Sequence, residues 1–200
     1  MSIKITKPQP QEQLEPGTYI ARCYSMIHIG TTSFEWQGQT KKSNKVRISF
    51  ELPTETKVFK EGESAKPWSV SSEYTLSLHE KSKFRPILES WRGKKFTDEE
   101  MDNFDVTNLV GVPAMISVIH NDKGYAEIAT ISKLPKGTEC PPQVNESQVL
   151  DYDTFNEELF NKLPDFLKKK IESSDEYRNM KGLVTPHVQE TPLDSEEIPF

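Results

Sequence analysis

The sequence predicts an all-β domain with one or two helices, built as a five-stranded barrel in the order β-β-β-α-β-β. Three observations carry this. Apolar and polar residues alternate in five stretches, as half-buried strands require. The period shifts once, between the third and fourth stretches, to helical spacing. Turn signals bound most of the stretches.

The first strand opens after the turn signal Pro16-Gly17. Tyr19, Ala21, Cys23, Ile27 and Ile29 fall on one face, with Arg22, Tyr24 and His28 on the other. Residues 30–44, GTTSFEWQGQTKKSN, read as a polar loop holding Phe34, Trp36, Lys41 and Lys42. In the second strand Val46, Ile48, Phe50 and Leu52 alternate with Lys45, Arg47, Ser49 and Glu51, and Pro53 ends it. Residues 54–68 form a charged loop with Phe59 and Trp68. The third strand runs from about Val70 to Leu78, with Val70, Tyr74, Leu76 and Leu78 on one face.

Ser82 is placed to cap a helix through Trp91, whose Phe84, Ile87, Leu88 and Trp91 recur at helical spacing. Gly93 ends it. Thr97 with Glu100 forms a capping-box pattern for a short second helix. The last two strands, 113–120 and 125–133, flank Asn121-Asp122-Lys123-Gly124, where Gly124 supplies a positive φ. Five strands with one helix after the third is the order of an OB-fold, which binds oligonucleotides across strands 2 and 3 and the loops joining strands 1–2 and 4–5. A plain β-sandwich or an SH3-like barrel would not need a lone helix there.

The chain divides into a flexible arm (1–16), the barrel (17–135), a linker with an amphipathic helical segment (136–178) and a disordered acidic tail (179–200). In the third part Thr154 and Glu157 suggest a helix start. Phe155, Leu159 and Leu163, then Phe166, Leu167 and Ile171 beyond Pro164, form an apolar series that packs on the barrel or on another chain. Composition from Asn179 onward favours disorder.

Charge follows the same division. The net charge is −6. Residues 151–200 hold 6 Lys/Arg against 12 Asp/Glu, which accounts for all of it, whereas residues 36–95 hold 13 Lys/Arg against 7 Asp/Glu. A basic body with an acidic tail suggests a polyanionic partner, although a solvated surface gives charge runs too. No apolar run is long enough for a membrane span, and MSIKITKPQP lacks a signal-peptide core, so a cytoplasmic protein is expected. Cys23 and Cys140 belong to no CxxC pair, and His28, His79, His120 and His187 show no metal-ligand spacing. Phosphate-loop, HExxH, GxSxG and GxGxxG motifs are missing, so no catalytic residue, cofactor or metal is assigned.

Binding a single strand without sequence preference needs cations along the phosphates and flat rings for unpaired bases. Phe34, Trp36, Lys41, Lys42, Lys45, Arg47, Lys123 and Tyr125 supply both, and in an OB-fold they converge on one face. Trp36 is the leading platform because its neighbours are polar. Phe84, Trp91, Phe50 and Tyr74 read as core instead. Lys81, Lys83, Arg85, Arg92, Lys94 and Lys95 read as solvation of the helix.

The last residues, Asp194-Ser195-Glu196-Glu197-Ile198-Pro199-Phe200, closely resemble the C-terminal tip of bacterial single-stranded DNA-binding proteins, with Ser195 departing from the acidic run. In such a tip Ile198 and Phe200 enter an apolar pocket and Pro199 limits the conformations lost on binding. Asp194, Glu196 and Glu197 steer it to basic surfaces. PGTYIARCYSMIHIGT (16–31), YTLSLHEKSKFRPILESWRGKKFTDEE (74–100) and the tip together resemble a family of bacteriophage-encoded single-stranded DNA-binding proteins with OB-folds. The resemblance implies action in a host cytoplasm, with single-stranded DNA and replication, recombination and repair proteins as partners, and it leaves a homo-oligomer open. An interaction adaptor that binds no nucleic acid, or a metal-dependent nuclease, are the competing readings.

Overall fold

A computed structural model describes residues 12–183. Its strands are β1 (Gly17–Trp36), β2 (Gln39–Lys57), β3 (Lys66–Thr75), β4 (Pro113–His120), β5 (Ala126–Ser132) and β6 (Gln148–Leu150). Its helices are α1 (Phe84–Arg92), α2 (Asp98–Asn103), α3 (Glu157–Lys162), α4 (Asp165–Glu172) and α5 (Asp175–Met180). The sheet runs β3-β2-β1-β4-β5, each neighbour antiparallel, with β6 added in parallel to β1. No ladder among the described residues joins β3 to β5, so the sheet is open at that seam.

The main core forms where the alternating faces meet α1. Ala21, Cys23, Met26, Val46, Ile48, Phe50 and Leu52 pack against Phe84, Leu88 and Trp91 of the helix and Ile116, Val118 and Ile131 of the last strands. The N-cap of α1 is Lys83, which makes no side-chain cap, rather than Ser82; Ser82 Oγ, one residue earlier, accepts the Phe84 amide at 3.1 Å, and Gly93, at φ 72°, closes α1 by donating to Glu89. Trp91 is 2% exposed, and its indole donates to the Pro113 carbonyl at 2.9 Å, which satisfies the one polar group of a large buried ring. The capping box of Thr97 and Glu100 is present at α2.

Several sequence expectations are corrected. The polar loop expected over 30–44 is a β-hairpin: β1 and β2 run on to Trp36 and from Gln39. Its two turn residues, Gln37 (φ 51°) and Gly38 (φ 74°), both take positive φ, as a type I′ turn demands. Gln is not a usual residue there, and neither strand of the arm buries an apolar face, so sequence periodicity had nothing to register. Pro53 does not end β2, which continues through an irregular register between Leu52 and Thr56 to Lys57, and β3 starts at Lys66. The single face proposed for the first strand is split by a register shift between Cys23 and Ser25: Ala21, Cys23 and Met26 face the main core, whereas Ile27 and Ile29 face a second one. One extra residue in a strand reverses the parity of everything after it. Thr154 does not cap a helix. The Asp151 carboxylate takes its amide and hydroxyl, and Asn156 caps α3 by accepting the Leu159 amide.

The second core answers what the apolar series of 155–171 packs on. Ile27 and Ile29 of β1 meet Leu150 of β6, Phe160 of α3, Leu163 just after it, and Leu167 and Ile171 of α4. The segment leading there is fixed by charge. Glu51, fully buried, accepts the Val144 and Asn145 amides at 2.8 and 2.7 Å, and Arg22 donates to the carbonyls of Gly111, Cys140 and Pro141. Hydrogen bonds to charged groups contribute about 1.5–3 kcal/mol each, so residues 140–150 are held on the outer face of the sheet. Within the expected N-terminal arm, Leu14 is buried and its carbonyl accepts from His120 Nε2 at 2.8 Å. The C-terminal tip lies outside the described residues.

Candidate nucleic-acid interface

Past Lys45, β2 pairs with β1 alone, so residues 31–44 project from the sheet as a two-stranded arm. Residues directly opposite in an antiparallel ladder share a face. The pairs Phe34–Lys41 and Trp36–Gln39 therefore place Phe34, Trp36 and Lys41 on one face, and Ser33–Lys42 places Lys42 on the other. Phe34 is 42% exposed and Trp36 55%. Lys41 makes no ion pair among the described residues. This face combines two open rings and a free ammonium group, on an arm with few polar obligations of its own.

The opposite face of the arm meets α5. Glu176 accepts the Thr31 amide at 2.6 Å and the Thr31 hydroxyl at 2.7 Å, and Lys42 pairs with Asp175 at 2.6 Å. The two braces differ in weight. Hydrogen bonds to a half-buried carboxylate contribute about 1.5–3 kcal/mol each, whereas an exposed ion pair contributes about 0–1 kcal/mol. Glu176 therefore sets the arm's direction. Burial pushes the Glu176 carboxyl up, but the two Thr31 hydrogen bonds, its own backbone amide and the nearby His28 together leave the group below its ordinary value. Gly30, buried at φ 91°, lets the chain pass: a Cβ there would stand 2.7 Å from Ser174 Cβ and 2.6 Å from Glu176 Oε2.

Of the remaining sequence-assigned residues, Lys45 lies on the same β2 face as Lys41 and is half-buried. Arg47, next on that face, is not free. Phe166 of α4 covers its guanidinium at 5.4 Å, and Glu73, itself bonded to Lys170 at 2.7 and 2.8 Å, lies 3.5 Å away. Lys123 and Tyr125 are exposed on the β4–β5 turn, ordered by Asn121 Oδ1 accepting both their amides. That turn stands at the start of β1, where Gly17 pairs with Val118. The arm's tip stands at its end. The eight residues are thus three groups: one face of the arm (exposed Phe34, Trp36 and Lys41, with half-buried Lys45 at its base), two cations occupied by the C-terminal helices (Lys42, Arg47) and a separate turn (Lys123, Tyr125). The cover over Arg47 comes from residues more than a hundred positions away, which no local pattern reports.

Among the described residues no group of three or more His, Cys, Asp or Glu is arranged to hold a metal ion, and no helix is long and apolar enough to cross a membrane. Cys23 and Cys140 are free thiols, and burial pushes Cys23 up to about 12, so it is not a nucleophile at neutral pH. No protein-family model matches the chain, nor does any curated protein or solved structure.

Proposed function

We propose that the protein binds single-stranded DNA without catalysis, gripping it through the aromatic and cationic face of the β1–β2 arm. The observation that carries this is Trp36 and Phe34 exposed beside the unpaired Lys41. Rings left about half open on a projecting ribbon forgo much of the stabilisation that burial would bring, and base stacking at about 1–3 kcal/mol per base gives their open faces a use. The sheet order β3-β2-β1-β4-β5, with α1 after β3, supports reading the body as a partly open OB barrel. The resemblance of residues 16–31 and 74–100 to phage-encoded single-stranded DNA-binding proteins points the same way, to replication or recombination in a host cytoplasm. In this reading the tip Asp194–Phe200 recruits partner proteins.

The test is tryptophan fluorescence during titration with unlabelled oligo-dT at two salt concentrations. Trp91 is sealed in the core and Trp68 is half-buried beneath Lys57, so the part of a saturable quenching that Trp36→Ala removes reports on Trp36. Quenching is expected to weaken with salt as counterions are released. Trp36→Ala is expected to abolish most of the signal and weaken binding about 5- to 150-fold. Strand cleavage with Mg²⁺ or Mn²⁺ would instead indicate a nuclease. Failure of the unaltered protein to bind in both fluorescence and gel-shift assays would overturn the reading and leave a protein-interaction adaptor.

A further inference from the structure

The exposed face of the arm does not stop at its base. Lys41, Ser43 and Lys45 lie on one face of β2, and Lys45 pairs across to Thr75 of β3. Thr75 Oγ1 stands 3.0 Å from Ser43 Oγ. Thr75 and Ser77 then line a cleft of about 700 Å³ between the end of β3, the loop into α1 and β5, at the seam where the sheet is open. Tyr74 and Phe84 meet there as stacked rings, their centroids 5.0 Å apart and their planes 11° from parallel. Lys81, Lys83 and His79 stand around it, with the Ser82 hydroxyl and Ile87. Two carboxylates also line it. Glu73 is already bonded to Lys170 and Arg47, and Glu127 projects from β5.

A strand leaving the arm meets a choice at Lys45. Straight on along β2 lies Arg47, covered by Phe166 of α4 and paired with Glu73. Sideways lie Thr75 and Ser77, then the cleft. We infer that single-stranded DNA leaves the arm across Thr75 and enters this cleft, where Lys81 and Lys83 take backbone phosphates and the apolar wall beside Tyr74 and Phe84 takes a base or sugar. The two lysines, which in sequence read as solvation of the helix, thereby become binding residues. A volume of this size suits a nucleotide-sized ligand with an apolar floor and a few polar groups at the rim. The inference rests on the DNA-binding reading above.

The test uses the full chain and two oligo-dT lengths, about 4 and about 16 nucleotides, the span of site sizes of single OB folds. Affinity is measured against salt for the parent, for Lys81→Gln/Lys83→Gln, and for Lys94→Gln/Lys95→Gln as a basic pair outside the cleft. With the long oligomer the first double variant is expected to lower the slope of log affinity against log salt by about 1.4, two single-strand phosphate contacts. With the short oligomer, which the arm alone accommodates, it is expected to match the parent. The second double variant is expected to match the parent at both lengths. Glu127→Gln, which removes an anion from the cleft, is expected to tighten the long oligomer only. A parent that binds while the Lys81/Lys83 variant keeps its slope overturns the cleft alone, as does an equal drop in both double variants. A parent that binds neither oligomer overturns the DNA-binding reading and the cleft with it.

Discussion

Lys41 and Lys42 are adjacent and chemically alike, yet the ladder gives them opposite surroundings. Lys41 shares its face with two exposed rings, and Lys42 is held by Asp175. Lys41→Gln is therefore expected to weaken oligo-dT binding and reduce its salt slope by about 0.7. Lys42→Gln is expected to change both much less; equal effects in a side-by-side titration would refute the assignment of faces. Glu100 offers a second test at this scale. Lys94 donates to its carboxylate at 2.6 Å, the Thr97 amide at 3.2 Å and Arg92 at 2.6 Å, and together they hold its pKa at about 2, below the ordinary 4.5. A depressed carboxyl stabilises the fold above its unfolded pKa and loses that contribution as pH falls through its folded one. The stability gap between the parent and Glu100→Gln is thus expected to close between about pH 4.5 and pH 2 in thermal melts; a gap independent of pH would count against it. Sequence parity identified Val46, Ile48, Phe50 and Leu52 as core. The same parity left Ser49 and Glu51 looking exposed. They are buried because residues 140–150 and the C-terminal helices lie over that face, and a strand's own alternation carries no record of what covers its other side.

At the scale of elements, the part of the fold most readable from sequence is the part with local chemistry: the capping box at α2, Gly93 closing α1, Gly124 (φ 78°) in the β4–β5 turn. What escaped is non-local or atypical. The arm escaped because its turn uses Gln37 and its strands have no apolar face. The split of β1 escaped because a bulge shows in pairing, not in composition. Gly30 sits at a second register shift, between His28 and Gly30, and its close approach to Ser174 makes it the hinge between arm and helices. Gly30→Ala combines backbone strain with overpacking against a buried serine, and is expected to cost about 2–4 kcal/mol. Denaturant melts would show the loss, and hydrogen exchange would locate it in α5 and the base of the arm. Protection lost evenly across the main core instead would contradict the placement. Trp91→Ala, by contrast, is expected to destabilise the main core by about 3–5 kcal/mol, with its deprotection centred on α1 and β4.

For the whole molecule, charge division is the feature that sequence displayed most clearly. A basic middle and an acidic end are expected to oppose each other, since a tethered anion competes for the same cations at high local concentration. Removing residues 191–200 is accordingly expected to tighten binding to oligo-dT, most at low salt; unchanged or weaker affinity would show that the tail does not compete. The apolar series of 155–171 was legible as a surface needing cover, but its partner was not. Simple alternation puts Ile27 and Ile29 in the other core, which leaves no visible gap for the helices to fill.

Thr31 and Glu176 are 145 positions apart, and that separation has a consequence for how the protein is born. Strands β1 to β5 leave the ribosome long before α5. Until then the ribbon at 31–44 lacks its strongest brace, and a two-stranded hairpin alone is only marginally stable in water. Chains are made at about 5–20 residues per second, so an unbraced ribbon persists for seconds on every nascent molecule. Among the described residues the arm is thus one of the last parts to become rigid, and a chain cut short before Glu176 would carry every residue of the arm without this brace to hold it in place.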